Sequence, residues 1–378
     1  MSLWIDNTAD FAAFCQEAST QPRVAVDTEF MWSSTFYPRL ALVQVSWGKD
    51  HCAVVDPLQM DDCSAFRTLL ENPAVQKVFH EATSDLPILR RWCHGGLPKN
   101  IFDTRLAGAF CGLTQGCSLQ KLLEMFFAFT LDKSETRSDW LQRPLSDRQL
   151  EYASADVKWL PELARLLQDK ISALGNLPWF LEEMELFSQE EFYAEEPPEQ
   201  YYRSVKGSGR LDRQRLAVLR ELATWREKTA RALDKTRNRV MSDQQMLDAV
   251  ALLPENLSQL RQVQNFWPKM IKSYGNDVLQ AIRRGLSIPR EHCPTQAVMK
   301  MPVAVHKVRV GRLQHYVQKR CELRQIDPTL VASRREISTL VLAADARQWP
   351  IDSVLLRGWR AELLGEELQN LVRSNFTP

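Results

Sequence analysis

Arg23-Val24-Ala25-Val26-Asp27-Thr28-Glu29-Phe30 is the stretch on which the reading of the fold turns. The apolar, β-branched residues up to Val26 make a strand, and strand alternation puts Asp27 and Glu29 on one face at its carboxyl end. Two carboxylates that share one space repel and raise each other's pKa unless a cation neutralises them. The pair therefore points to a hard divalent metal with oxygen ligands. Asp-x-Glu alone is a weak motif, and a solvated pair of loop acids is its bland reading.

Around this stretch, short β-rich runs recur: 40–47 (LALVQVSW), 52–57 (CAVVDP), 75–80 (VQKVFH) and a weaker one at 100–104 (NIFDT). The first three strands are close in sequence, which favours neighbours in a meander. The later ones are separated by helical patterns around 64–71 and 82–92, so the sheet is expected to be mixed, in an α/β domain. From Thr104 the pattern is helical. Ser146-Asp-Arg-Gln149 forms a capping box that opens the longest helix, with apolar face Leu150, Ala153, Val157, Leu160, Ala164 and Leu167. Pro161 removes a backbone donor there, which predicts a bend just past Asp156.

Residues 190–210, EEFYAEEPPEQYYRSVKGSGR, lack periodicity and read as a linker. The chain divides on this basis into 1–190, a linker at 191–210, and two helical modules at 211–290 and 294–378. An offset of 90 residues aligns Met241-Ser-Asp with Val331-Ala-Ser and Gly275-Asn-Asp with Gly365-Glu-Glu, suggesting related modules, although so few identities also arise by coincidence. Charge follows the same division. Residues 1–200 carry 17 Lys/Arg against 30 Asp/Glu, and residues 201–378 carry 31 against 17. A basic half suits a protein that grips a polyanion.

The eight cysteines form no Cys-x-x-Cys pair and are read as free buried thiols. No secretory n- and h-region opens the chain and no run of about 18 apolar residues occurs, so a soluble cytoplasmic protein without membrane contact is expected. No G-x-x-x-x-G-K-[ST] loop is present, which argues against a nucleotide cofactor or a motor.

Two further elements carry acids. His80-Glu-Ala-Thr-Ser-Asp85 turns from a strand into a helix and delivers Asp85 in its first turns. Tyr152-Ala-Ser-Ala-Asp156 sets a phenol and a carboxylate side by side on a helix, with only small residues between them.

Jointly, these motifs resemble the ribonuclease D branch of the DEDD exonuclease superfamily, in the subgroup with Tyr four residues before the last Asp. The likeness extends to Tyr37-Pro-Arg-Leu-Ala-Leu-Val-Gln44, Phe102-Asp-Thr104, Leu131-Asp-Lys-Ser-Glu-Thr-Arg-Ser-Asp-Trp140 and Pro144-Leu145, spanning most of residues 20–170. The basic half resembles the HRDC module of that family, more closely in 211–290 than in 294–378. The resemblance implies an RNase H-like exonuclease domain followed by two all-α HRDC-type domains. It also implies two divalent ions, Mg²⁺ or Mn²⁺, held by Asp27, Glu29, Asp85 and Asp156, with Tyr152 orienting the attacking water. The implied activity is 3′ to 5′ trimming of tRNA precursors and other small stable RNAs at single-stranded 3′ ends, by a monomer, releasing nucleoside 5′-monophosphates. A DNA exonuclease of the same superfamily and a non-catalytic nucleic-acid-binding protein are the alternatives, since 2′-hydroxyl contacts are not visible in sequence.

Thr28, Phe30 and His80 would border the terminal nucleotide if the family geometry holds. Lys133, Arg137 and Trp140 are candidates for phosphate contact and base stacking, against a loop packed under Trp140. Asp103 and Asp139 are rival carboxylates, Asp103 reading better as a helix cap. Arg226, Lys228, Arg231, Lys235, Arg237 and Arg239 form a possible phosphate stripe or a solvated basic face. Trp225 and Trp267 read as core.

Overall fold

The structure of the chain is a computed structural model, and it describes residues 2–130, 135, 138–295, 301–347 and 349–374. Six strands form one sheet: β1 (Leu3–Ile5), β2 (Arg23–Met31), β3 (Arg39–Gly48), β4 (His51–Val55), β5 (Gln76–Phe79) and β6 (Ile101–Asp103). Their spatial order is β1-β4-β3-β2-β5-β6. β3 and β4 are antiparallel, while β1 with β4, β2 with β5 and β5 with β6 are parallel. The sheet is mixed, as expected. β1 is the strand that periodicity could not find, because three residues are too few to show alternation.

Helices α1 (Thr8–Ala18), α2 (Ser64–Glu71), α3 (Ala82–Trp92), α4 (Thr104–Ala109), α5 (Leu119–Phe127), α6 (Asp147–Lys158), α7 (Leu160–Ala173), α8 (Leu177–Glu185) and α9 (Glu190–Tyr193) complete this part. The capping box at Ser146 and Gln149 is formed. Pro161 acts more strongly than a bend: α6 ends at Lys158, Trp159 caps it, and α7 restarts with Pro161 in its first turn, where a missing N–H is harmless.

The chain forms two compact units, and they do not follow sequence position. One comprises Met1–Met31, Leu40–Tyr193 and the described part of Met299–Pro378; the other comprises Trp32–Arg39 with Ala194–Val298. The second unit contains α10 (Arg213–Ala232), α11 (Arg237–Val240), α12 (Asp243–Leu252), α13 (Leu257–Leu260) and α14 (Pro268–Ser287). α10 and α14 cross backbone to backbone, since a Cβ on Gly285 would lie 2.4 Å from Val218 Cα. The segment read as a linker is partly ordered by this unit. Pro198–Ser204 is a 3₁₀ helix, and Tyr202 and Val205 enter the core beside Leu216 and Leu219. Their apolar contribution is masked in sequence by the surrounding Glu, Pro and Gly. The connection between β2 and β3, with Arg39 at the start of β3, joins the same unit: Asp234 accepts from the backbone N–H groups of Phe36 and Tyr37 at 3.0 and 3.1 Å.

The last helices are α15 (Val303–Arg324), α16 (Pro328–Val331), α17 (Arg334–Asp345) and α18 (Gly358–Ser374). They repeat the element order of the first module, a four-residue helix followed by a boxed one: Ser242 with Gln245 before α12, Ser333 with Glu336 before α17. Yet they share the core of the first unit. Trp359 packs on Phe110 at 5.0 Å and donates from Nε1 to Glu183 at 2.7 Å, while Arg360 grips both oxygens of Glu183. All eight cysteines are buried and free. Among the described residues no helix is long and apolar enough to cross a membrane.

Lys77, on β5, is fully buried and donates to the carbonyls of Asn72 and Val75 at 2.5 and 2.8 Å. Burial favours the neutral amine and lowers its pKa from 10.5 to about 7. Between these values the unfolded chain holds a proton that the folded chain does not, so stability rises with pH across that window and is lowest below about 7. Lys77→Met is therefore expected to flatten the pH dependence of unfolding between pH 7 and 10, removing a slope of up to about 1.4 kcal/mol per pH unit. Urea unfolding across that range measures it, and parallel curves for the two proteins would refute it.

Candidate active site

Val24, Ala25 and Val26 are fully buried, which fixes the register of β2 and leaves Asp27 and Glu29 on one face of the sheet. Opposite them α6 carries Tyr152 and Asp156 one turn apart. Ala153 and Ser154 are completely buried, and their small size lets α6 settle close on the sheet, with Cys52 Sγ 4.0 Å from the Ser154 carbonyl. The result is a cluster in which carboxylate oxygens of Asp27, Glu29 and Asp156 all lie within 4.8 Å of one another.

These acids are electrostatically strained. Burial pushes Asp27 up to about 7. Asp156 rises to about 8 through burial and then the charge of Asp27. Glu29 rises to about 9 through burial, then Asp27, Asp156 and Asp85. Asp85, from the first turn of α3, stands beside the trio rather than within its oxygen cluster, and its pKa is raised well above normal by burial and then by Asp27. A set made only of close carboxylate oxygens fits a hard divalent cation, which removes the repulsion by coordinating them.

Two interactions that position Asp85 escaped the reading of the sequence. The Thr28 hydroxyl donates to Asp85 Oδ1, and Thr28 is buried, so its side chain is directed at an acid. Asp103 caps α4, accepting from the N–H groups of Arg105 and Leu106 at 2.8 and 3.1 Å. Its other oxygen accepts from Ala82 at the start of α3 at 2.7 Å, fixing the helix that carries Asp85. A polar residue between two acids, and an acid before a helix start, were the signals available for them.

Trp140 requires a correction as a stacking surface. It is 2 % exposed, and its ring packs at 5.8 Å against Tyr152, because Leu42, Val54 and Ala153 form an apolar cluster around it. Asp139 accepts from the Leu141 N–H at 3.1 Å, a local turn. Lys133 and Arg137 lie outside the described residues. Phe30 stays partly exposed. His80 is held by Thr104, 2.9 Å from Nδ1; the Thr104 hydroxyl is committed to the Phe79 carbonyl, so Nδ1 is the donor. Burial, then Arg105, lowers His80 to about 4, leaving the ring neutral.

The phosphate stripe dissolves in part. Arg226 is buried against Asp243 at 2.7 Å, Arg231 and Arg237 both pair with the buried Glu227, and Lys228 pairs with Glu199. Lys235 and Arg239 remain exposed. Trp225 is partly buried against Tyr274, whereas Trp267 is 66 % exposed and is not core.

A mixed sheet whose central strand ends in two acids, met by a helix bearing a third acid with Tyr one turn before it, defines a 3′–5′ exonuclease. Residues 3–172 match the family model of the 3′-5′ exonuclease, and residues 215–282 match that of the HRDC domain. Ribonuclease D of Pseudomonas paraeruginosa is 36 % identical over 98 % of this chain and 97 % of its own length. Ribonuclease D of Escherichia coli is 32 % identical over 96 % of each. The crystal structure of Escherichia coli RNase D, described as an exoribonuclease involved in structured RNA processing, superposes with a TM-score of 0.89, 31 % identity and 99 % coverage of both chains. The chain belongs to the ribonuclease D family, and it is a 3′–5′ exoribonuclease with an HRDC domain.

Asp103→Ala removes acceptors from three backbone N–H groups and is expected to lower unfolding stability by about 2 kcal/mol. Urea denaturation tests this, and a variant as stable as the wild type would refute it.

Proposed function

We propose that this exoribonuclease trims the 3′ ends of tRNA precursors and other small stable RNAs in the cytoplasm, acting as a monomer with two divalent ions, Mg²⁺ or Mn²⁺. The observation that carries the metal reading is the convergence of Asp27, Glu29 and Asp156 oxygens within 4.8 Å, with Asp85 in electrostatic reach of Asp27 and Glu29. In this reading the four acids are the ligands. A pair of ions held by these acids would stabilise both the attacking and the leaving oxygen of an in-line displacement at phosphorus.

The chain's own residues do the rest. Thr28 holds Asp85 in place through its hydroxyl. Tyr152, anchored on α6 one turn before Asp156 and packed on Trp140, aligns the water that attacks phosphorus. Its contribution is to the alignment of that water. Water adds to phosphorus, the bond to the 3′ oxygen of the penultimate nucleotide breaks, and the terminal nucleoside leaves with its 5′-phosphate. The HRDC domain adds affinity for RNA. The length and coverage of the ribonuclease D likeness support the substrate class.

A time course on a 3′-extended tRNA precursor, an unrelated RNA and matched DNA, with and without Mg²⁺ or Mn²⁺, tests this. Stepwise release of nucleoside 5′-monophosphates is expected only with metal, and Asp156→Ala should lower the rate by at least about 10³-fold. Metal-independent cleavage or an unaffected variant would sink the mechanism; an untouched tRNA precursor would sink the substrate.

Tyr152→Phe is expected to lower kcat by about 10²-fold while KM stays close to that of the wild type. A rise in KM at constant kcat would assign Tyr152 to binding instead.

A further inference from the structure

Arg143 lies between Trp140 and the start of α6, and its guanidinium is committed entirely inside the protein. Nε and Nη2 form a fork on Asp56 at 2.6 and 2.7 Å. Nη2 also donates to the Ala41 carbonyl at 2.9 Å, and Nη1 donates to the carbonyls of Trp140 and Gln142 at 2.8 and 3.0 Å. These are as many bonds as a guanidinium has N–H groups. None is left for a phosphate, so this cation serves the protein and not the RNA.

The fork stands on a fixed base. Asp56 is buried, its N–H donates to the Ile5 carbonyl of β1 at 2.8 Å, and its Oδ1 also accepts from the Leu58 N–H at 3.1 Å, capping the 3₁₀ turn Pro57–Gln59 that follows β4. Arg143 carries that fixed point to the backbone on both sides of the Trp140 ring. One bond goes to Trp140 itself, and another to Ala41, which precedes the Leu42 that clusters with the ring. The ring needs such support. Its Nε1 is buried with no hydrogen-bond partner, so no polar contact of the indole sets where it lies, and it packs on Tyr152 with ring centroids 5.8 Å apart.

We propose that Asp56 and Arg143 are a positioning pair for hydrolysis: the fork holds the Trp140 backbone, and the Trp140 ring holds the phenol of Tyr152 where it aligns water. The pair rests on the reading of Tyr152 as the residue that aligns the attacking water. A buried ion pair adds little net stability over an apolar replacement of the same volume, but its planar two-bond geometry specifies one arrangement. Lysine has the charge without the fork, which makes Arg143→Lys the sensitive substitution. Misplacing an aligning group by about 1 Å costs up to about 10²-fold in rate, so a partial displacement through Trp140 is felt in the chemical step and not in RNA affinity.

The test is a double-mutant comparison of kcat and KM for Mg²⁺-dependent release of adenosine 5′-monophosphate from oligoadenylate. Arg143→Lys is expected to lower kcat about tenfold with KM within about twofold of the wild type. In a Tyr152→Phe protein, where the phenol hydroxyl is already gone, the same substitution is expected to change kcat by less than about twofold. A merely structural role removes the same fraction of activity in both backgrounds, so equal fold-losses overturn the proposal, as does an unmoved kcat or a loss confined to KM. Thermal melts report folding. If Arg143→Lys melts below the assay temperature, Asp56→Asn, which keeps one acceptor for the fork, goes through the same comparison and is judged by the same outcomes. Tyr152→Phe alone separates the two readings: wild-type kcat there fails the alignment role of Tyr152 and this proposal with it, whereas a slow Tyr152→Phe beside an unaffected Arg143→Lys fails the pair alone.

Discussion

The mutual repulsion of Asp27, Glu29 and Asp156 is the constraint on which the rest of the structure depends. Three carboxylates whose oxygens lie within 4.8 Å would drift apart in a flexible chain. Here each is anchored on an element that cannot retreat: a central strand locked by Val24 to Val26, and a helix capped at Ser146 and seated through Ala153 and Ser154. Asp85 is held by a separate route, through the hydroxyl of Thr28 and, at the start of its helix, through Asp103. The folding free energy of the sheet and its helices thus opposes a local electrostatic cost, which is how preorganised sites are maintained.

What the sequence made readable and what it did not divide along physical lines. Asp27, Glu29 and Tyr152–Asp156 were found because strand and helix periods place side chains at fixed angles, and two helix spans, Ser64–Glu71 and Ala82–Trp92, were found through their apolar spacing. Thr28–Asp85 and Asp103–Ala82 were missed because each joins residues 57 and 21 positions apart, beyond the reach of any local pattern. Trp140 was ambiguous because the same ring serves a core or a base, and only its neighbours Leu42, Val54 and Ala153 decide it.

The basic half illustrates a second limit. Its excess of Lys and Arg was counted correctly, but counting treats every charge as available. Arg226, Arg231 and Arg237 are instead internal struts, bound to Asp243 and Glu227, and two arginines on one buried glutamate satisfy a charge that would otherwise be costly to bury. Surface potential in such a module comes from the few cations left over, and not from composition.

The membership of the first unit has a consequence for how the chain is made. Its core draws on residues near both ends, from Ile5 to Val372, and Glu183 receives Trp359 and Arg360 only from the final helix. During synthesis, domains generally fold from the N-terminus as they emerge. Here the sheet that bears the acids leaves the ribosome well before the helices that share its core. Completion of this core therefore waits for Trp359 and Arg360, and a chain cut before them leaves Glu183 and Phe110 without these partners.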